Sequence, residues 1–390
     1  GKLRVNFAET KRDVPAYQLL TTYNVTSPSY LTPAGATVYS SSLSDALKNS
    51  SLRPEAVSYT HLTYYRKQSK DNFVTKRIPV TSGFSTLAIN AGSIRNVGYE
   101  AGVEVVPVKT KSGLTWSIYS AFNMIRSKVL ATADQGADIY TSNGAFVYNV
   151  QRVGQPFGML MGLGTARDEE GNRLIWPGQG GNGGKIIYNA EDDIIGDPNL
   201  SFKLGVTNTL TYKNITFSAL VDWWQGGSMY SITAASLLLR GQLANSAERE
   251  GLRVIPGVYG DDATKTALLD ANGKKIKNTT SISAFDYFFS DGFGAYGPDD
   301  TNLYDRTTFR LREINLGYNI PKKWLNKTPF GSANISFSGR NLWFYCPNIL
   351  KGLNLDPEVL SDVSTSNIQG IDLGAAPSTR RYGVNLRVTF

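Results

Sequence analysis

The chain is poor in the residues from which enzymes and metal sites are built. Among 390 residues there is one histidine, His61, and one cysteine, Cys346. No internal disulfide framework and no Cys/His metal cluster can form, so zinc chemistry and histidine-based acid–base catalysis fall away. Oxygen ligands are more plentiful. Asp168-Glu169-Glu170, Glu191-Asp192-Asp193 and Asp299-Asp300 gather carboxylates of the kind that hold calcium, yet none has the spacing of a calcium loop, and solvated surface is the better reading. Paired carboxylates for glycoside hydrolysis cannot be singled out among 32 acidic residues. The run Pro177-Gly178-Gln179-Gly180-Gly181-Asn182-Gly183-Gly184-Lys185 has the glycine content of a phosphate-binding loop. It lacks Lys-Ser/Thr after the final glycine and a helical pattern behind it, so it reads as a flexible loop. A non-enzymatic protein without metal or cofactor is expected. The formal charge of +8 is dispersed, not gathered into a stripe, which argues against nucleic acid as a partner. What remains is aromatic: Trp176, Tyr188, Tyr230, Tyr287 and Tyr296 lie in long connections, where stacking on sugar faces or peptide side chains and plain loop packing explain them equally well.

The elements that must position these loops are strands. No window holds the 18 or more consecutive apolar residues of a membrane-spanning helix, so any crossing is by strands. Two-residue alternation is the dominant pattern. Leu114, Trp116, Ile118, Phe122 and Met124 share one parity, with Thr115, Ser117, Tyr119 and Asn123 on the other. The split recurs at Phe202, Leu204, Val206, Leu210 and Tyr212, at Ile215, Phe217, Ala219, Val221 and Trp223, and at Tyr382, Val384, Leu386, Val388 and Phe390. Segments of about 10 to 13 residues exceed the roughly 5 to 6 of a soluble strand and match the 9 to 11 that cross a bilayer at a tilt. Connections alternate between tight turns, Lys111-Ser112-Gly113 and Lys213-Asn214, and excursions of roughly 35 to 80 residues, as in bacterial outer-membrane barrels. With the short turns periplasmic, strands near Leu114, Ile215 and Ile335 run outward and those near Ala101, Phe202, Ile314 and Val384 run inward. Phe309 and Leu311 are odd while Ile314, Leu316 and Tyr318 are even, which predicts a β-bulge near Arg312-Glu313. Trp223-Trp224 and Trp343-Phe344-Tyr345 suit an interfacial girdle, and core packing suits each as well. The expected class is all-β, an antiparallel transmembrane β-barrel.

Several stretches resemble the SusC/RagA-type TonB-dependent outer-membrane transporters of Bacteroidetes. They are Asn90-Ala91-Gly92-Ser93-Ile94-Arg95-Asn96-Val97-Gly98-Tyr99-Glu100, Ile195-Gly196-Asp197-Pro198-Asn199-Leu200 with Gly205-Val206-Thr207-Asn208, Phe309 to Tyr318 with Ile320-Pro321, Gly339-Arg340-Asn341-Leu342, and the strand ending in Phe390. They occur in order along nearly the whole chain. The resemblance implies active import of glycan or peptide fragments through the bacterial outer membrane, energised by the TonB complex, with a SusD-like surface lipoprotein as lid. The apolar segment Ala284 to Phe289 suits contact with such a lid. Phe390 resembles the signal read by the barrel-assembly machinery, and outward-facing side chains would meet outer-membrane lipid. Arg310 and Arg312, opposite Phe309 and Leu311, are expected to face the lumen and pair with acids such as Glu100 and Glu104 or with a plug.

Members of this family resemble one another in having an N-terminal domain, a TonB-contacting box, a plug and a barrel of about 22 strands. Residues 1–390 correspond to the C-terminal part of the barrel alone, about nine or ten strands and an open curved sheet by itself. The chain opens in strand-like sequence at Gly1 with no targeting segment, so either the mature protein begins there or its front is missing. Leu3, Val5 and Phe7 resemble one outward strand and Leu62 to Phe73 another, with only Ala56 to His61 left for the inward strand between them. A deletion or assembly error around Ala56 to Leu62 is expected, with His61 carrying no function. A secreted carbohydrate-binding β-sandwich or β-solenoid adhesin is the alternative from another class, and a passive porin a third reading.

Overall fold

The computed structural model describes residues 6–12, 23–31, 37–43, 46–47, 55–61, 64–78, 80–84, 86–132, 136–140, 146–288, 297–350, 352–353, 355–358, 360, 369–376 and 378–390. The chain divides into two compact units, one of residues 1–98, 126–160 and 366–368, the other of 99–125, 161–365 and 369–390.

In the first unit β1 (Asn6–Arg12), β2 (Glu55–His61) and β3 (Tyr64–Arg77) are neighbours in one sheet. β2 is antiparallel to both others, with Asn6 opposite His61 and Ala56 opposite Lys70. The strand expected to be missing is therefore present in the order. It is seven residues long against fourteen in β3, because antiparallel pairing requires only that facing backbone groups be present, not that a strand run the full height of its neighbour. β4 (Thr86–Lys109) and β5 (Leu114–Thr132) contribute residues to both units.

The second unit continues with β6 (Phe202–Tyr212), β7 (Ile215–Gln225), β8 (Thr308–Asn319), β9 (Ser332–Tyr345) and β10 (Arg381–Thr389). β5 to β10 follow one another in the sheet in chain order, each antiparallel to the last. The register turns the sequence parity into rows. Phe122 faces Leu204, Leu204 faces Trp223, Trp223 faces Phe309 and Phe309 faces Tyr345, with Trp223 and Phe309 stacked at 5.5 Å. Towards the other end Tyr212, Ile215, Tyr318, Ile335 and Leu386 form a second row, with Trp324 6.4 Å from Tyr318. At about 3.3 Å per residue and a tilt of about 40°, the stretch from Phe202 to Tyr212 rises about 25 Å, the height of a lipid-facing apolar band.

The expected bulge is at Arg312. Leu220 faces Glu313 but Val221 faces Leu311, and on the other side Leu311 faces Trp343 while Glu313 faces Arg340. One extra residue in β8 is met by two in β9, Asn341 and Leu342, of which Asn341 sits at φ 53°, a conformation asparagine tolerates better than most residues. Phe309, Leu311 and Ile314 thereby share a face.

Among the described residues nothing covers that face. Phe337 is 53%, Val384 64% and Leu386 67% exposed. The buried core of this unit lies instead in the long connections, where Met229, Ala234, Leu238, Phe288, Tyr304 and Leu355 pack together. Helix α1 (Ile232–Leu239) enters that core through Ser231, whose fully buried Oγ accepts from the Ala234 N–H at 3.0 Å and donates to Asp372 at 2.6 Å. A neighbouring cluster of Ala166, Leu174, Ile187 and Val258 is built on a parallel pairing of Leu174–Ile175 with Val258–Asp261. Gly257 makes that approach possible: a Cβ there would lie 2.5 Å from the Arg173 carbonyl oxygen, which receives the Val258 N–H at 2.9 Å. Gly257→Ala is expected to cost about 1–3 kcal/mol, read as a lowered denaturation midpoint of the chain in detergent.

Candidate functional site

The candidate residues fall at three places in the second unit. The first is the inner face of the wall at the bulge. Arg310, 2% exposed, pairs with the buried Asp356 and reaches Glu358 at 3.3 Å, while its guanidinium carbon lies 5.0 Å from the centre of the Phe344 ring. Asn341 accepts from the Arg310 guanidinium at 2.5 Å, and its amide donates to Ser378 at 2.6 Å. Ser378 in turn donates to Asp356. Arg312 contacts Asp222 and Glu358, both at 2.7 Å. Burial pushes the Asp356 carboxyl up, but the hydrogen bonds from Arg310 and Ser378 outweigh it and hold it below its usual range. These contacts correct the expected pairing with Glu100 and Glu104. Glu100 accepts from Asn123 at 3.1 Å and Glu104 is exposed, whereas the connection after β9 folds back and delivers Asp356 and Glu358 to the two guanidinium groups. The girdle expectation splits in the same way. Trp223, Trp343 and Tyr345 share the outer face, while Trp224 and Phe344 carry cations on the inner one, Lys203 lying 4.3 Å from the Trp224 ring centre.

The second place is a cavity of about 500 Å³ lined by Trp176, Tyr188, Asn182 and Asn189, with Lys185, Lys265 and Asp262. Trp176 and Lys185 end a hairpin closed by two bonds, Trp176 N–H to Lys185 O and Gly184 N–H to Trp176 O, both 2.9 Å. The Gly-rich run is its turn, held by Gly183 N–H to Gly180 O at 2.8 Å and by the Thr280 hydroxyl donating to Gly178 O at 2.9 Å. The run is thus a hydrogen-bonded turn rather than a flexible loop, and its glycines at positive φ serve the turn. Opposite, Lys265 at φ 52° closes a turn headed by Asp261, and its Nζ donates to Asp262 at 2.5 Å and to the Tyr188 carbonyl at 2.6 Å.

The third place is Asp299. Its carboxylate accepts from the Leu163 N–H at 2.8 Å and the Tyr230 hydroxyl at 3.3 Å, and Asp300 beside it accepts from both the N–H and the hydroxyl of Thr165. Burial, with Asp192 and Asp300 nearby, raises the Asp299 carboxyl to about 6. Tyr230 is 2% exposed and serves this junction rather than an open stacking face. Tyr287 is half-buried against Phe288, ring centres 4.8 Å apart, and Tyr296 lies outside the described residues. Of the expected aromatics, then, only Trp176 and Tyr188 meet at one cavity. Asp168, read as solvated, caps its own turn by accepting from Glu170 and Asn172 N–H groups and is met by Lys275 at 2.7 Å. Phe390 is 88% exposed, its ring 5.4 Å from Phe330. Sequence reading missed Asp356, Glu358 and Ser378, which no motif marks.

No protein-family model matches the chain. TonB-dependent receptor P3 of Formosa agariphila is 26% identical over 352 residues, covering 84% of this chain and 32% of that protein. TonB-dependent receptor P26 of the same organism is 24% identical over 350 residues, 85% of this chain and 33% of its own length. Among solved structures the RagAB peptide importer in its closed-closed state superposes with a TM-score of 0.63 at 16% identity, over 100% of this chain and 41% of that one. The chain is thus similar in sequence to TonB-dependent receptors and in fold to the RagAB peptide importer. It spans about a third of the length of these curated relatives. All three are named as receptors or importers, none as an enzyme.

Three expectations follow from these contacts. Asp356→Ala leaves the Arg310 cation buried without its main partner and should cost about 3 kcal/mol. Glu313→Ala opens only the 3.0 Å pair with Arg340, whose side chain is 65% exposed, and should cost less than about 1 kcal/mol, both read from urea midpoints in detergent. At Asp299 the folded carboxyl titrates above its unfolded value, so its ionised form opposes folding. That penalty is full above pH of about 6 and is relieved as pH falls towards 4. The melting temperature of the parent chain should therefore rise relative to Asp299→Asn as pH is lowered from 7.5 to 5.

Proposed function

We propose that residues 1–390 form the C-terminal part of the barrel of an outer-membrane importer that takes up glycan or peptide fragments. In this reading TonB supplies the energy, a SusD-like surface lipoprotein covers the outer mouth, and the barrel-assembly machinery inserts the wall by way of Phe390. The observation that carries it is the inversion of the second unit. Its strands keep an apolar, aromatic-bordered face uncovered over about 25 Å, while its own buried core sits in the long connections. A water-soluble sandwich or solenoid would bury that face. The relatives' names support uptake, and their greater length leaves room for plug and energy-coupling parts.

The test is made on a Cys346→Ser background with nitroxide labels at Trp116→Cys, Leu204→Cys, Phe217→Cys and Leu386→Cys in lipid vesicles, against Thr209→Cys and Ser218→Cys on the other face. The first four should be quenched by oxygen and shielded from a water-soluble nickel chelate, and the last two should show the reverse. Access of the chelate to both faces, or folding without detergent, would decide for the adhesin.

A further inference from the structure

We infer that the cavity bounded by Trp176, Tyr188, Asn182 and Asn189 is a binding site for a neutral saccharide of about two rings. The assignment rests on the importer reading, for it names which of two substrate classes this cavity takes. Its volume of about 500 Å³ lies within the roughly 300–1,000 Å³ of small-molecule sites. Its charges are already answered. Lys265 is bound to Asp262 at 2.5 Å and Lys185 faces Asp286 at 3.6 Å. A charged ligand would lose its hydration and meet only groups that have counter-ions, so the electrostatic return for a peptide terminus or a uronate is small.

What the wall offers a neutral ligand is different. Trp176 and Tyr188 supply aromatic surface, which suits the C–H face of a pyranose. Asn182 and Asn189 are exposed, and each carboxamide both donates and accepts, matching sugar hydroxyl groups that do the same. The elements behind them are fixed: the hairpin bonds between Trp176, Gly184 and Lys185 and the Lys265 bonds to Tyr188 and Asp262 hold both sides in place before any ligand arrives. Such pre-ordering lowers the entropy lost on binding.

Calorimetric titration of the chain, folded in a sugar-free detergent, tests this with cellobiose, maltose and mannobiose against digalacturonate and trialanine. At least one neutral disaccharide should bind, and Trp176→Ala should weaken it about tenfold. Because Trp176 also packs against Leu174 and Ile187, Asn182→Ala and Asn189→Ala serve as exposed second variants, each expected to weaken binding several-fold with the melting temperature unchanged. The inference is overturned if no neutral sugar binds, if digalacturonate or trialanine binds more tightly, or if the asparagine variants leave affinity intact. Lipid exposure of the strand face is read independently, so a null titration beside a lipid-facing wall removes this site alone.

Discussion

The second unit depends on one extra residue in β8. A strand presents alternate side chains to alternate faces, so an odd insertion reverses everything beyond it. Arg312 is that insertion, and it lets Phe309 and Leu311 share the outer face with Ile314, Leu316 and Tyr318. The irregularity also concentrates charge. Arg310 and Arg312, two residues apart across the bulge, turn to the inner side, and Asn341 takes up a left-handed conformation opposite them. The returning connection brings Asp356 and Glu358 to this point. Backbone phase, buried ion pairs and loop placement are thus set at a single spot.

Much of the wall was legible in the residues because its organising signal is strictly local. Parity in Leu114 to Met124, Phe202 to Tyr212 and Tyr382 to Phe390 predicts which side chains share a face without knowledge of any distant partner, and the break between Leu311 and Ile314 locates the bulge. Partners were not legible, since they are set by where a long connection lands. Nothing in the sequence near Asp356 distinguishes it from the carboxylates of Asp168 or Asp299, and the proximity of Glu100 to the expected lumen suggested the wrong acids. The aromatics show the same limit: Trp176 and Tyr230 look alike in sequence, yet one lines a cavity and the other is buried with its hydroxyl on Asp299. Asn341 was the one available hint, an asparagine able to accept positive φ beside a predicted irregularity.

The short strand β2 illustrates how length and order differ as evidence. Counting residues between two outward segments correctly found too few for a full crossing. It did not follow that the strand was absent, because pairing with β1 and β3 requires only facing backbone groups. Direction is a topological property and survives shortening.

The inversion of apolar surface gives the second unit two interiors of opposite sense. The cluster around Met229, Leu238 and Phe288 is dry because protein surrounds it, and it is held by the same force that folds soluble domains. The face carrying Phe217, Phe337 and Leu386 is left exposed by the described residues, and under the proposed importer reading lipid would cover it. Under that reading different solvents govern different parts of one polypeptide. Urea would then act first on the connections, where water is the reference phase, while the wall would answer to the thickness and composition of the amphiphile around it. In that case a change of lipid would shift the stability of the wall more than that of the connections.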